Sequence, residues 1–451
     1  MSETSARQAP SMRPAFLGPP EAEAVARDAI MFAYPMLFNY KTIWEQTQDY
    51  SSSAFIGGFN RYRHYTRSYT SADTDIVTPN NDSPYSWAWF DLRREPVVLR
   101  VPEVAEDRYY VVQMFDLFTF NFAYVGVRKT GFDSGDYLIA SEGWNGDPPD
   151  GISDVLRSET EIAGTLTRTA LFGAQDMPNV RAIQHGYAIQ PLSEYAGLRP
   201  PPPVSAPVFP AWQEDRALSA GFIGYLNFLL SLVDLHPGEA ALYERFAGLG
   251  IGAGQPWRPE DTPPAVLAAI EAGVKQGLAD IDEKAAHTTS SLGLFGSRKQ
   301  LGDDYLTRAV AANMGIYGQV AEEAVYGGSR LDASGEQLIG GRSYTLHFDT
   351  STLPDAKFFW SITLYKLPSR LLAENPIDRY SIGDRTPGIS YGDDGSLDIT
   401  LQATQPTDAT ERANWLPTPT EGPFTVIYRM YGPGPEAQNG DWSLPPIKPA
   451  T

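Results

Sequence analysis

Three side chains with amide or carboxylate oxygens stand in a row at Asn80, Asn81 and Asp82, inside Thr78-Pro79-Asn80-Asn81-Asp82-Ser83-Pro84-Tyr85. Such a run offers hard oxygen ligands to a divalent cation, or groups that hold and polarise a substrate, with Tyr85 as a further contact. It is equally turn chemistry, because Asn and Asp accept a left-handed backbone and bond locally, and two prolines bracket the segment. A second polar stretch, 375–388, carries Arg379, Tyr380 and Ser381 between Asp378 and Asp384. A guanidinium fork suits a carboxylate or phosphate, and a tyrosine can donate to a developing oxyanion. The plainer reading is that Arg379 or Arg385 pairs with a nearby Asp and pins an irregular loop.

Asp116 closes a strongly apolar run, with Asn121 shortly after. A carboxyl among aromatics has a raised pKa suited to general acid–base work, or else caps a turn. Asn313 and Tyr317 share a helical face, as a core pair or as the wall of a pocket. His347 alternates with apolar neighbours, and the five histidines form no HxH or HExxH spacing, so it is a weak metal candidate only. Asp82, Asp116 and Tyr380 are thus the candidates for proton transfer. Asn80, Asn81, Tyr85, Asn121, Tyr317, Arg379 and Ser381 are the candidates for holding substrate. A divalent metal is possible, and no other cofactor is signalled.

The composition narrows the field. The chain has 451 residues and a net charge of -20, with no clustered Lys and Arg to meet phosphates, so nucleic acid is not an expected partner. No basic amphipathic segment points to an anionic membrane, and no apolar run of about 18 residues predicts a spanning helix. The absence of cysteine excludes disulfides, thiolate catalysis and Cys-built metal centres. Residues 1–20 read as a disordered lead-in rather than a secretion signal, so a cytoplasmic location is the expectation, with a periplasmic or secreted one as the alternative for a trimmed chain. GxSxG, Walker and strand–helix GxGxxG motifs are all missing, which disfavours nucleotide-dependent chemistry. A homo-oligomer is possible.

The elements that would position these residues fall into an α+β multidomain pattern: two β-sandwich-like regions with a helical module between them. The expected units are an N-terminal β-rich domain at 21–199, a Pro-rich linker at 200–206, a helical module at 207–327 and a C-terminal β-rich domain at 328–451. Residues 21–39 look helical, with Pro35 as a kink or an end. Segments 212–233, 264–287 and 303–326 carry helical spacing. Runs such as 96–101, 108–115, 344–348, 358–364 and 424–431 are rich in β-branched and aromatic residues. In both β regions a short strand (98–102, 345–348) precedes a longer aromatic one (109–117, 359–367). Generic hairpin patterning could explain this, as could a duplicated sandwich unit.

These motifs together resemble a bacterial and fungal pair of families, domain-of-unknown-function family 1254 followed by family 1214. The N-terminal resemblance rests on 78–85, Trp87-Ala88-Trp89-Phe90-Asp91-Leu92, 96–102 and 108–121. The C-terminal resemblance rests on 344–348, 359–367, 375–388, Asn414-Trp415-Leu416-Pro417 and Arg429-Met430-Tyr431-Gly432-Pro433. It covers nearly the whole chain and implies β-sandwich regions around a helical segment, without implying a reaction. Lys366 stands where an acid matching Asp116 is expected. The functional expectation is an enzyme acting on a small organic molecule, by hydrolytic or other acid–base chemistry, in a cleft between the β-rich regions. A non-catalytic binder of an aromatic, lipid or carbohydrate ligand is the alternative. A metal-dependent oxidoreductase using His347 is a further one. Pseudo-symmetric packing predicts Asp82 or Asn81 in one pocket with Arg379 or Tyr380, Asp116 nearby and Tyr317 as a wall.

Overall fold

The structure is a computed structural model that describes residues 16–73 and 78–450, so most of the expected lead-in lies outside the described residues. The first β half contains β1 (Arg63–His64), β2 (Tyr85–Asp91), β3 (Val97–Val101), β4 (Tyr110–Asp116) and β5 (Asn121–Gly126). It continues with β6 (Gly135–Ser141), β7 (Ile152–Ser158), β8 (Ile162–Thr169) and β9 (Ala188–Pro191). The second half contains β10 (Ala324–Ser329), β11 (Tyr344–Phe348), β12 (Ala356–Lys366) and β13 (Ser381–Gly383). It ends with β14 (Leu397–Gln402), β15 (Trp415–Pro417), β16 (Phe424–Pro433) and β17 (Ile447–Pro449).

Each half is a pair of sheets, and the pairs match strand for strand. Order β2-β8-β4-β5, with β1 added at its edge, corresponds to β10-β16-β12-β13. Order β7-β6-β3-β9 corresponds to β15-β14-β11-β17. The parallel pair is shared too: β6 with β7 in one half, β14 with β15 in the other. Two generic hairpins do not share a topology of eight strands, so the unit is duplicated. The short and long strands that suggest hairpins in the sequence in fact enter different sheets, β3 apart from β4 in the first half and β11 apart from β12 in the second.

The apolar residues explain the layering. Val97, Leu99 and Val101 from β3 meet Tyr110, Val112 and Met114 from β4 in one core. Leu346 and Phe348 meet Trp360, Ile362 and Leu364 in the equivalent core of the second half. A third core lies where Trp87, Trp89, Phe115 and Leu166 leave the first sandwich and meet helices. There the Trp89 indole donates to Gln46 Oε1 at 2.7 Å, so its one polar atom is not stranded.

The helix Pro19–Ile43 packs against helices Pro264–His287 and Tyr305–Gly315, joining the N-terminal segment to the helical layer. Its buried Ala22, Val25, Ala26, Ala29, Ile30 and Ala33 follow helical spacing. Pro35 neither ends nor replaces it, and the helix runs on to Ile43. The helix expected over 303–326 is a correction. It stops at Gly315, Ile316 is extended, Tyr317 takes φ +69°, and the chain then enters β10. Helical spacing continued past the point where tertiary hydrogen bonds took the backbone: the Tyr317 carbonyl accepts from Arg168 Nη2 at 2.9 Å.

Gly126 and Gly383 hold the same place in the two halves, opposite Val111 and Ser361. A Cβ at Gly126 would sit 2.5 Å from the Tyr110 carbonyl oxygen, and one at Gly383 would sit 2.1 Å from that of Trp360. Gly383→Ala is therefore expected to destabilise the protein by about 1–3 kcal/mol through overpacking. Urea unfolding reads this as a lower midpoint, and an unchanged midpoint would mean the strand pair opens there at no cost.

Candidate functional site

Side chains alternate across a strand, so residues on or beside β2, β4, β8, β10, β12 and β16 that point away from the two sandwich cores must meet something else. On the first half these are Tyr109, Val111 and Gln113 with Arg168 and Tyr85; on the second they are Phe359, Ser361 and Thr363 with Arg429 and Tyr326. They meet each other. Tyr109 packs on Phe359 with ring centroids 5.9 Å apart and on Tyr431 at 5.3 Å.

The registers make the contacts equivalent. Arg168 faces Val111 on one side and Tyr85 on the other, while Arg429 faces Ser361 and Tyr326. Arg168 Nη1 donates to Gln113 Oε1 at 2.6 Å, and Arg429 Nη1 donates to Thr363 Oγ1 at 2.9 Å, again at matching positions. Asp82 precedes Tyr85 by three residues, as Glu323 precedes Tyr326, and Arg128 follows Gly126 by two, as Arg385 follows Gly383. Tyr109 is the counterpart of Phe359, so a residue touching its own counterpart marks a local two-fold axis between the halves.

Both arginines are 5% exposed. Arg429 Nη2 donates to the Tyr365 hydroxyl at 2.7 Å, and that hydroxyl donates to the Pro79 carbonyl at 2.7 Å. Burial works against the Arg429 charge, but Tyr365, Tyr431 and Asp82 outweigh it and raise the pKa. Burial and then the Asp82 charge push the Tyr431 phenol far up, so it stays protonated.

The two carboxylates across the axis are treated differently. Glu323 is closed off, with Arg128 Nε at 2.5 Å and the Tyr109 hydroxyl donating at 3.1 Å. Asp82 accepts from Ser361 Oγ at 2.6 Å and from the Tyr431 hydroxyl at 3.5 Å. Its counterpart arginine, Arg385, lies 3.3 Å from the Phe359 ring centroid and makes no ion pair among the described residues. Arg385 Nε and Nη1 are sealed from solvent without a hydrogen-bond partner. Burial lowers its pKa, against the pull of Asp82 and Asp384. A buried, unpartnered donor costs about 1–3 kcal/mol, and more when charged.

The positions named from the sequence separate into groups. Asn80 lies with Asp82: its Nδ2 donates to Ser83 Oγ and to the Tyr431 hydroxyl, each at 3.0 Å, and its Oδ1 accepts the Asp82 N–H at 2.8 Å. That is turn chemistry and cross-axis bonding at once. Asn81 Oδ1 is buried without a partner. Tyr85 lies under the Arg168 guanidinium, 5.4 Å from it. Asn121 reaches Arg168 through Gln113, accepting from Gln113 Nε2 at 2.7 Å. Tyr380 shares an apolar cluster with Tyr69 and Tyr365 and donates to Asp378 at 3.1 Å. Ser381 is a backbone partner of Thr363 in the sheet.

Four positions fall elsewhere. Arg379 Nη1 donates to the Ala413 and Trp415 carbonyls, so the arginine beside Asp82 is Arg385, not Arg379. Asp116 sits at the far end of β4, opposite Ala163 rather than Arg168, and belongs to a different charge group. The Tyr317 ring is in the helix-facing core, its hydroxyl donating to Asn39 Oδ1 at 2.9 Å, and only its backbone carbonyl meets Arg168. His347 is exposed and bonded to Asp398 at 2.8 Å. Among the described residues, no three histidines or carboxylates gather as a metal would need. The residues that sequence reasoning missed are Arg168, Arg429, Glu323, Ser361 and Tyr431. A charge inside a β run, as in Thr165-Leu166-Thr167-Arg168-Thr169 and Ile427-Tyr428-Arg429-Met430-Tyr431, is the signal that points to them. Open surface depressions lie away from all of these, along Gln213, Arg216, Trp257 and Glu271 and along Asp28, Arg245 and Asp304.

Residues 59–191 match the model of a family described as protein of unknown function (DUF1254), and residues 323–435 match protein of unknown function (DUF1214). The chain thus carries a DUF1254 match followed by a DUF1214 match. The DUF1254 match spans β1 to β9 and the DUF1214 match spans β10 to β16, and Asp82, Arg128 and Arg168 lie in the first segment with Glu323, Arg385 and Arg429 in the second. The VPA0106 protein from Vibrio parahaemolyticus, a solved structure, is 26% identical over 95% of this chain and 100% of that one, at a TM-score of 0.77. An uncharacterized protein from Burkholderia cenocepacia is 13% identical over 92% of this chain and 91% of that one, at a TM-score of 0.43. No curated protein matches the sequence. No helix among the described residues is long and apolar enough to cross a membrane.

Proposed function

We propose that the axis between the DUF1254 and DUF1214 halves is an acid–base site for a small organic acid. The observation that carries this is Arg385, whose buried Nε and Nη1 lack partners while the equivalent Arg128 is ion-paired. A substrate carboxylate fits that guanidinium as a planar, two-pronged acceptor. Phe359 and Phe172 flank the same guanidinium and favour a flat apolar body next to the carboxylate. Asp82 is the group that takes or returns a proton, because it is the one carboxylate on the axis left without an arginine contact. Tyr431 and Ser361 hold its orientation by donating hydrogen bonds to Oδ2.

Arg385→Gln is expected to weaken binding of an organic carboxylate about tenfold to a hundredfold, the size of a lost charge-assisted bond. The test is a thermal-shift screen of organic acids on the whole protein, followed by NMR assay of every hit for turnover. Asp82→Asn should keep binding and abolish turnover. Hits that bind equally to wild type and Arg385→Gln would overturn the assignment. A second reading, binding without chemistry, is favoured by the two hydrogen bonds that already occupy Asp82. It predicts hits that depend on Arg385 yet are never converted.

A further inference from the structure

At the far end of β4 a second charged group is buried between the first sandwich and the helices, and its bonds do not close. Arg308, from helix Tyr305–Gly315, is 2% exposed. One of its nitrogens, Nη2, donates to the Phe118 carbonyl at 2.7 Å, while Nε and Nη1 are buried with no partner. Arg298 binds Glu159 at 2.6 Å and Glu239 at 2.8 Å, but its Nη2 is buried and unpartnered, as is Glu159 Oε1. Both guanidiniums lie over the Phe120 ring, Arg308 at 4.1 Å and Arg298 at 4.5 Å from its centroid. Asp116 interacts electrostatically with Glu159, Arg308 and Arg298, and its Oδ1 accepts the Phe120 N–H at 2.8 Å.

The donors outnumber the acceptors. Arg298 spends its charge on two glutamates, whereas Arg308 has only a backbone carbonyl and no carboxylate within ion-pair distance among the described residues. Uncompensated buried charge is costly, and a planar guanidinium edge with free N–H groups is shaped for an oxyanion. We propose that this group is a second binding site, taking a small planar monoanion such as formate, nitrate or another short carboxylate against Arg308. The rim at Arg298 and Glu159, whose side chains are 18% and 16% exposed, is the side from which it enters. Phe118 and Phe120 close the other side and exclude bulkier anions. The charged and titratable groups facing Asp116 and Arg308 are Glu159 from the β7–β8 turn, Glu239, Arg298 and Tyr305. An anion beside Asp116 favours its protonated form, so binding weakens as pH rises through about 7.

The experiment is a thermal-shift titration of the full chain with sodium formate at fixed ionic strength, balanced with sodium sulfate, at pH 6 and pH 8. A saturable rise of several degrees at pH 6, smaller at pH 8, is expected, because ligand bound to the folded state alone stabilises it. Arg308→Lys should abolish the part of the rise that is larger at pH 6 than at pH 8, whereas Arg385→Gln, at the axial site, should leave that part intact. If Arg308→Lys does not fold, Asp116→Asn replaces it and should extend the pH 6 response to pH 8. No saturable rise in the wild type overturns the proposal and leaves water as the occupant. A pH-dependent rise that survives Arg308→Lys, or that Arg385→Gln removes, overturns it in favour of another site.

Discussion

Asp116→Asn is expected to stabilise the protein at pH 8 and leave it nearly unchanged at pH 4. Burial first, and then the neighbouring Glu159, raise the Asp116 carboxyl from 3.8 to about 7. The folded state therefore holds a proton that the unfolded chain releases near pH 4. Stability falls as pH climbs through that window and levels off above about 7 to 8, where Asp116 is ionised in both states. The full cost is on the order of 4 kcal/mol, since each pH unit between the two pKa values is worth about 1.4 kcal/mol. Asparagine cannot ionise, yet its Oδ1 can still accept the Phe120 N–H that Asp116 accepts now. Urea unfolding from pH 4 to pH 8, in buffer free of small oxyanions, should show a falling wild-type curve and a flatter mutant one. Equal slopes would mean that Asp116 ionises in the fold as it does in the open chain.

The second large effect concerns the closed side of the axis. Glu323→Ala should destabilise by the lower part of about 3–5 kcal/mol, because it strips the partner from Arg128 and the acceptor from the Tyr109 hydroxyl. Arg128 is one-third exposed, so water recovers part of the loss. The double change Glu323→Ala with Arg128→Ala should cost less than the sum of the two, by about 1–3 kcal/mol of coupling. Asp82→Ala with Arg385→Ala, the same pair of positions across the axis, should come close to additive in the absence of ligand. Strong coupling at both pairs would remove the asymmetry on which the axial site rests.

Much of the scaffold was legible before any coordinates. β4 and β12 announce themselves by runs such as Tyr110-Val111-Val112 and Phe359-Trp360-Ser361-Ile362, and the similarity of the halves shows in the short strand that precedes each. What sequence spacing cannot carry is register. Arg168 and Arg429 become equivalent only when each is seen opposite the same position of its neighbouring strand. Arg379 and Arg385 are six residues apart in one polar loop, and nothing local says that the first caps carbonyls at Ala413 and Trp415 while the second faces Asp82. Asp116 joins Asp82 as a proton-transfer candidate because its carboxyl closes an aromatic-rich apolar run, whereas Asp82 stands in a polar turn. The five steps along β4 from Val111 to Asp116 put them toward opposite ends of the strand, about 17 Å apart at the rise of an extended chain. Tyr317 was lost to a helix that ends two residues too soon.

The shared strand order has a consequence for what the axial residues are free to be. Two separate copies of one half, meeting through an isologous interface, would carry the same residue on both sides of the axis. An aspartate that suited one side would be imposed on the other, and every change would act twice. Covalent joining lifts that constraint. Asp82 and Glu323 differ by one methylene, Val111 stands where Ser361 stands, and Tyr109 where Phe359 does. The polypeptide linkage thus lets one side serve as a fixed strut while the other keeps an unspent charge, a division of labour closed to a homodimer.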